Sequence, residues 1–114
     1  MWRDDAYLLD ILLAARKVRE YTAGLSQDDF ERNELVQSAV MRWLTVIGEA
    51  ARNISPEYQA AHADIPWSEM KGLRHRLVHE YFRIQLPIVW DTIQSDLPKL
   101  IAQLEPLVPP NPDA

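Results

Sequence analysis

The stretch "FERNELVQSAVMRWLTVIGEAARNI", residues 30–54, decides the fold. Phe30, Val36, Ala39, Val40, Trp43, Ile47, Ala50, Ala51 and Ile54 recur every three or four residues, the spacing that lines one face of an α-helix. A single apolar stripe sustained this long reads as a bundle helix. Its entry is signalled by Ser26, an N-cap residue, followed by Asp28 and Asp29 where carboxylates meet the positive end of the helix dipole. Gly48 interrupts the stripe at a cost of up to ~1 kcal/mol against Ala, tolerated most easily where a neighbouring helix must come close.

On the N-terminal side, Leu8, Ile11, Leu12, Ala15 and Val18 predict a first helix from about Arg3 to about Ala23, with Gly24 placed to stop it. On the other side, "SPEY" at residues 55–58 is a cap followed by proline at the first helical position, so a short helix begins there. It ends before "DIPW", because Ile65 precedes a proline and is pushed out of helical angles. A third long segment is expected from near Trp67 to about Phe82. The short alternation in "FRIQLPIVW" could hide a strand, but Pro87 demotes that reading. Val89, Ile93, Leu97, Leu100, Leu104 and Leu107 then keep a helical step, with Pro98 expected to kink or split the helix. Glycine is scarce and no hairpin signal of the Asn-Gly type occurs. The expected fold is all-α, an up-and-down helical bundle spanning residues 1–108 as one domain, with 109–114 as a frayed tail.

Composition narrows the function classes. The chain has 114 residues, 47% of them hydrophobic and 25% charged, which suits one compact domain. There is no cysteine, so disulfides, thiolate nucleophiles and cysteine-ligated zinc are excluded together. The start, "MWRDDAYLLD", puts acids where a signal peptide needs a basic region, and no apolar run approaches the roughly 18 residues of a membrane span, so a cytoplasmic location is expected. A net charge of −5 argues against a protein that coats nucleic acid through a broad basic surface. The distribution is uneven: Lys71, Arg74, Arg76 and Arg83 stand against Glu80 alone between residues 71 and 83. That segment carries +3 and the rest of the chain −8.

The basic segment contains "GLRHRLVHEYF", residues 72–82. On a regular helix, at about 100° per residue, Arg74 and Tyr81 lie within about 20° of one azimuth, whereas His79 sits about 140° from Arg74. Either the helix is irregular here, or long side chains wrap toward a common groove, or a second copy of the chain supplies the other half across a two-fold axis. The residue types suit a phosphodiester. Arginine offers a planar fork of donors to phosphate oxygens, and histidine can take and return a proton near neutral pH. Together they are the minimum for metal-free RNA cleavage by the 2′-hydroxyl, a nucleophile that DNA lacks. The residues alone leave a plainer reading open: a solvated helix face with Arg76 and Glu80 as an i, i+4 ion pair, and Tyr81 and Phe82 packed in a core or interface.

The arrangement Arg74, His79, Tyr81 resembles the Arg-x4-His-x-Tyr signature of the HepT family of HEPN-domain proteins. "VIGEAARNIS" (46–55), "IPWSEMKGLRHRLVHEYF" (65–82) and "IVWDTIQSDLPKL" (88–100) resemble the family in the same order, over nearly the whole chain. The resemblance implies a homodimeric toxin ribonuclease, encoded beside a minimal nucleotidyltransferase antitoxin named MntA in the best-described pairs. Arg74 would bind the phosphate and stabilise its transition state, and His79 would act as general acid or base. Tyr81 would accept AMP from the antitoxin, placing bulk and negative charge where the RNA phosphate must sit. His75, Arg76, Lys71 and Arg83 are the expected RNA contacts.

One position departs from the family's commonest form: after the arginine stands His75, where a small polar residue such as Asn is frequent. His75 and His79 share a face and are a familiar metal-ligand spacing, but no acidic ligand stands at a helpful distance, so neither a resident metal nor a cofactor is expected. Glu49 and Arg42 could reach the motif and orient Arg74, or form an ordinary ion pair. Trp43, Trp67 and Trp90 read as core and His62 as an exposed loop residue. A non-catalytic alternative is a dimeric module that binds a nucleotide or a nucleotidyltransferase, and a purely structural dimer would leave the +3 segment without a role.

Overall fold

α1 (Trp2–Thr22) buries Leu8, Ile11, Leu12, Ala15 and Val18, the residues whose spacing predicts it. Gly24 follows at φ +78°, a left-handed conformation in which a side chain would be strained, and the helix ends there. The computed structural model describes residues 2–80 and 83–109 of the chain. Every regular element in that range is helical: α2 (Gln27–Glu31), α3 (Glu34–Asn53), α4 (Pro56–Ala61), α5 (Trp67–His79), α6 (Leu86–Asp91), a π-helical turn (Thr92–Asp96) and α7 (Leu97–Leu104). The protein is an all-α, up-and-down bundle.

The expected long helix from Ser26 is two helices. Ser26 does cap, accepting from the Asp29 N–H while the Asp29 carboxylate accepts from the Ser26 N–H, both at 3.1 Å. The chain then leaves helical geometry at Asn33 (φ −113°, ψ 92°), whose side chain accepts from the Val36 N–H at 3.1 Å and starts α3 afresh. A side-chain acceptor that satisfies the new helix's free N–H competes with the helical continuation, and here it wins. Gln37 bridges the break by donating to the Phe30 carbonyl at 2.9 Å. Phe30 is fully buried with its ring centroid 5.5 Å from that of Trp90, which ties α2 to α6.

α3 lies between α1 and α5, and α7 packs on α1. The segment α6, π turn and α7 runs on without a break, so Pro98 does not split it. Instead the Leu97 N–H reaches back five residues to the Thr92 carbonyl, and Pro98 falls in the first turn of α7, where its missing N–H costs least. The Ile93 carbonyl, which in this wider register would face the proline nitrogen, accepts instead from Arg19 of α1 at 3.2 Å. Pro87 likewise sits in the first turn of α6, and no strand occurs among the described residues.

Two polar ties fix the ends of the central helices. The buried carboxylate of Asp4 accepts from the Ser55 N–H at 2.8 Å and the Ser55 hydroxyl at 2.7 Å, while that hydroxyl accepts from the Tyr58 N–H at 3.2 Å and caps α4. The Ser55 backbone N–H first, and its hydroxyl second, hold the Asp4 carboxyl below its ordinary value, against the opposing effect of burial. Gln59 donates to the Ile54 carbonyl at 2.9 Å, satisfying an acceptor just past α3. The expected tail lies outside the described residues apart from Pro109. No helix among the described residues is long and apolar enough to cross a membrane.

Candidate active site

α5 carries the basic motif. It is regular from Trp67 to His79, so local irregularity is not what reconciles Arg74 with His79. Trp67, Met70 and Leu77 are buried and hold α5 against α3. The expectation that Gly48 marks a close approach holds, and the residue approaching it is Arg74. A Cβ built on Gly48 would stand 2.1 Å from the Arg74 Cβ and 2.8 Å from the Met70 carbonyl oxygen. The glycine therefore makes a notch in α3 that receives the base of the Arg74 side chain.

From that notch the Arg74 guanidinium extends past Glu49, one residue farther along α3. Arg74 Nε lies 3.8 Å from Glu49 Oε1, an ion pair without a hydrogen bond, and this buried Nε has no hydrogen-bond partner among the described residues. The carboxylate thus sits on the Nε side of the guanidinium. Among the described residues no acceptor holds the terminal nitrogens, and Arg74 as a whole is half-buried. Glu49, named from sequence as a possible orienting residue, is in position to be one.

His79 points away from Arg74, as the helical azimuths require. Its neighbour is His75, one turn earlier, with ring centroids 4.6 Å apart and both residues exposed. The other expected contacts divide. Lys71 is half-buried and donates to Gln59 Oε1 at 2.7 Å, so its ammonium braces α4 against α5. Arg76 turns to the side of α5 away from Arg74. There it lines a groove of about 690 Å³ between α5 and the α6–α7 rod, with Glu69, Leu73, Asp96 and Lys99 among its walls. The anticipated Arg76–Glu80 ion pair is absent among the described residues. Glu80 is the C-cap of α5 (φ −128°, ψ 27°), which takes its side chain off the i, i+4 geometry while its N–H donates to the Arg76 carbonyl at 2.8 Å. Arg83 is exposed just beyond the motif. Tyr81 and Phe82 lie outside the described residues.

Among the remaining sequence candidates, Trp67 is buried and donates from its indole N–H to the His62 carbonyl at 2.9 Å, while Trp43 and Trp90 are half-buried against the core. His62 is not the free loop residue expected. It caps α4, is half-buried, and stacks on Tyr58 with centroids 4.1 Å apart. Sequence reasoning missed the Gln59–Lys71 strut, whose partners are twelve positions apart and follow no helical spacing.

Helix α5 can therefore do two things on different sides: present an arginine fork restrained by a carboxylate, and present an exposed imidazole pair. Both are donor chemistry for a phosphate and proton chemistry for its cleavage. Comparison with known proteins agrees with this chemistry. The family described as Ribonuclease HepT-like matches residues 11–107. "Probable ribonuclease HepT" of Thermococcus cleftensis is 38% identical over 101 residues, covering 89% of this chain and 92% of that protein. "Putative RNase MJ1380" of Methanocaldococcus jannaschii is 38% identical over 100 residues, covering 88% and 92% respectively. No solved structure matches the chain. With the family spanning nearly all of the folded region and these relatives aligned over most of their own length, the chain belongs to the HepT-like ribonuclease family.

Proposed function

We propose that this chain is the toxin of a toxin–antitoxin pair and a metal-independent endoribonuclease that works as a two-fold dimer. The observation that carries the reading is the placement of Arg74. Its base is set in the Gly48 notch and its Nε side faces Glu49, so its terminal fork, which no described residue holds, can take a phosphate, five residues before an exposed histidine. One protomer keeps Arg74 and His79 on different sides of α5, and a two-fold axis beside the motif would join the arginine of one copy to the histidine of the other.

In this reading the 2′-hydroxyl attacks its own phosphorus while one imidazole takes its proton. The P–O5′ bond breaks and a second imidazole returns a proton to the leaving 5′ oxygen. Arg74 stabilises the extra negative charge on the phosphorane oxygens. The products are a 2′,3′-cyclic phosphate and a 5′-hydroxyl, with no water consumed. Silencing follows from AMP transfer to Tyr81 by a cognate MntA-like nucleotidyltransferase antitoxin: the tyrosine hydroxyl displaces pyrophosphate from ATP, and the attached phosphate competes with RNA for Arg74.

The test is cleavage of labelled bulk RNA in chelator by the unmodified protein beside Arg74→Ala and His79→Ala. Cutting by the wild type that both variants lose by two or more orders of magnitude supports the reading. A folded, unmodified wild type that binds RNA without cutting it would make the chain a binding module, with Arg74 as a ligand contact.

A further inference from the structure

We infer that His75 and His79 form a reversible binding site for a late first-row divalent ion, Cu²⁺ or Ni²⁺ ahead of Zn²⁺, whose occupancy switches the nuclease off. The two imidazoles are one helical turn apart, both exposed, with ring centroids 4.6 Å apart and planes inclined at 46°. With metal–nitrogen bonds of about 2.0–2.1 Å, an ion shared by the two rings sits about 3.2 Å from each centroid. With each ring turned so that one nitrogen faces the shared ion, a 4.6 Å separation corresponds to a nitrogen–metal–nitrogen angle of about 90°. That is the cis angle of square-planar or tetragonal coordination, which Cu²⁺ and Ni²⁺ favour. A tetrahedral Zn²⁺ would need the rings to spread. Each ring gives one nitrogen lone pair to the ion, and water fills the other positions.

The surroundings set the character of the site. Among the described residues no group of three or more His, Asp or Glu can gather on one ion, so the site has two protein ligands and exchanges its ion readily. Of the cations within one turn on the same helix, Lys71 donates to Gln59 at 2.7 Å, Arg74 turns its Nε side to Glu49 at 3.8 Å, and Arg76 lines the groove against the α6–α7 rod. Such an ion is not a cofactor. It occupies the imidazole nitrogen with which His79 would move a proton, so binding and proton transfer exclude each other. This consequence, though not the site itself, rests on the ribonuclease reading above. A chelator would then raise the activity of metal-exposed protein, the opposite of its effect on a metal-dependent nuclease.

The experiment uses tag-free protein in a non-coordinating buffer, titrated with CuCl₂, NiCl₂ and ZnCl₂ by calorimetry, beside His75→Asn and His79→Asn with helicity checked by circular dichroism. The expected result is one ion per protomer, affinity in the order Cu²⁺, Ni²⁺, Zn²⁺, and a loss in either variant at or beyond the upper end of the roughly 10–100-fold that removal of an outer-shell partner costs. RNA cleavage by the wild type should fall with the same midpoint and recover in chelator, whereas the residual rate of His75→Asn should not respond to the ion. Absent binding in the wild type, or unchanged binding in folded His75→Asn, overturns the proposal. Binding as described by a protein that cuts no RNA supports the site and removes the ribonuclease reading instead.

Discussion

At the scale of single residues the structure separates groups that sequence alone lumps together. Four basic side chains between residues 71 and 83 give one positive segment, yet Lys71 is a strut, Arg76 faces a groove, and Arg74 combines partial burial with a carboxylate on one side. Glu49 is half-exposed, so its pairing with Arg74 contributes little to stability, on the order of 1 kcal/mol or less after solvent screening. Its effect should appear in the reaction. Glu49→Gln is expected to lower kcat by roughly tenfold, about 1.4 kcal/mol of barrier, with KM unchanged or lower because a charge that repels RNA is gone. Unfolding midpoints should barely move. Equal loss in kcat and in stability would make Glu49 a structural residue only. Asp4 has the opposite profile. Its folded-state carboxyl titrates below the ordinary 3.8, so its contribution is present above that value and is lost as pH falls through the lowered one. Asp4→Asn should cost about 1.5–3 kcal/mol at neutral pH, the range for hydrogen bonds to a charged group. It should also flatten the fall in stability below about pH 4, measured by urea unfolding across pH. An unchanged acid limb would remove Asp4 from that role.

At the scale of elements the packing of α5 on α3 decides where the arginine goes. Two physical effects compete at Gly48. Helix propensity alone says that Gly48→Ala should gain up to ~1 kcal/mol, whereas a Cβ there would stand 2.1 Å from the Arg74 Cβ and 2.8 Å from a backbone oxygen, neither of which is the yielding end of a flexible chain. Overpacking should win, costing about 1–3 kcal/mol and displacing Arg74, with activity falling further than stability. Gly72→Ala is the matched control: it lies within α5 with nothing within 4 Å of its Cβ and should gain about 0.5–1 kcal/mol. Denaturant midpoints of the two variants should move in opposite directions, and a stabilised Gly48→Ala would contradict the notch. The helices themselves were readable in outline, because apolar periodicity, Ser26, Ser55 and Gly24 each act within a few residues. What was not readable depends on distant partners. Asn33 breaks the long helix because its own side chain supplies a cap, a choice that periodicity does not see. The rod survives Pro98 because Arg19, far away in sequence, accepts the role of donor to Ile93. The notch was legible as a close approach but not as a seat for Arg74.

At the scale of the whole molecule, a chain with net charge −5 that acts on a polyanion needs local positive charge, and the +3 stretch of residues 71–83 is the one that carries the motif. The motif residues were legible because their spacing matches a family signature. Their division between two sides of α5 followed from the helical angle, and the groups that hold Arg74 did not. If the working site joins two protomers, mixing Arg74→Ala with His79→Ala protein under conditions of subunit exchange should restore part of the cleavage that each variant lacks, since mixed dimers hold one intact arginine opposite one intact histidine. No recovery from demonstrably mixed dimers would contradict a site completed by one arginine and one histidine from opposite copies. The central claim is that Arg74 and His79 cut RNA through its own 2′-hydroxyl without a metal, and the most direct test is the chemistry of the ends. The unmodified protein is incubated in chelator with an RNA oligonucleotide and with its fully 2′-O-methylated twin, and the products are weighed by mass spectrometry. The account predicts 2′,3′-cyclic phosphate and 5′-hydroxyl ends from the RNA and no cutting of the twin; 5′-phosphate ends, or cleavage of the methylated strand, would contradict it.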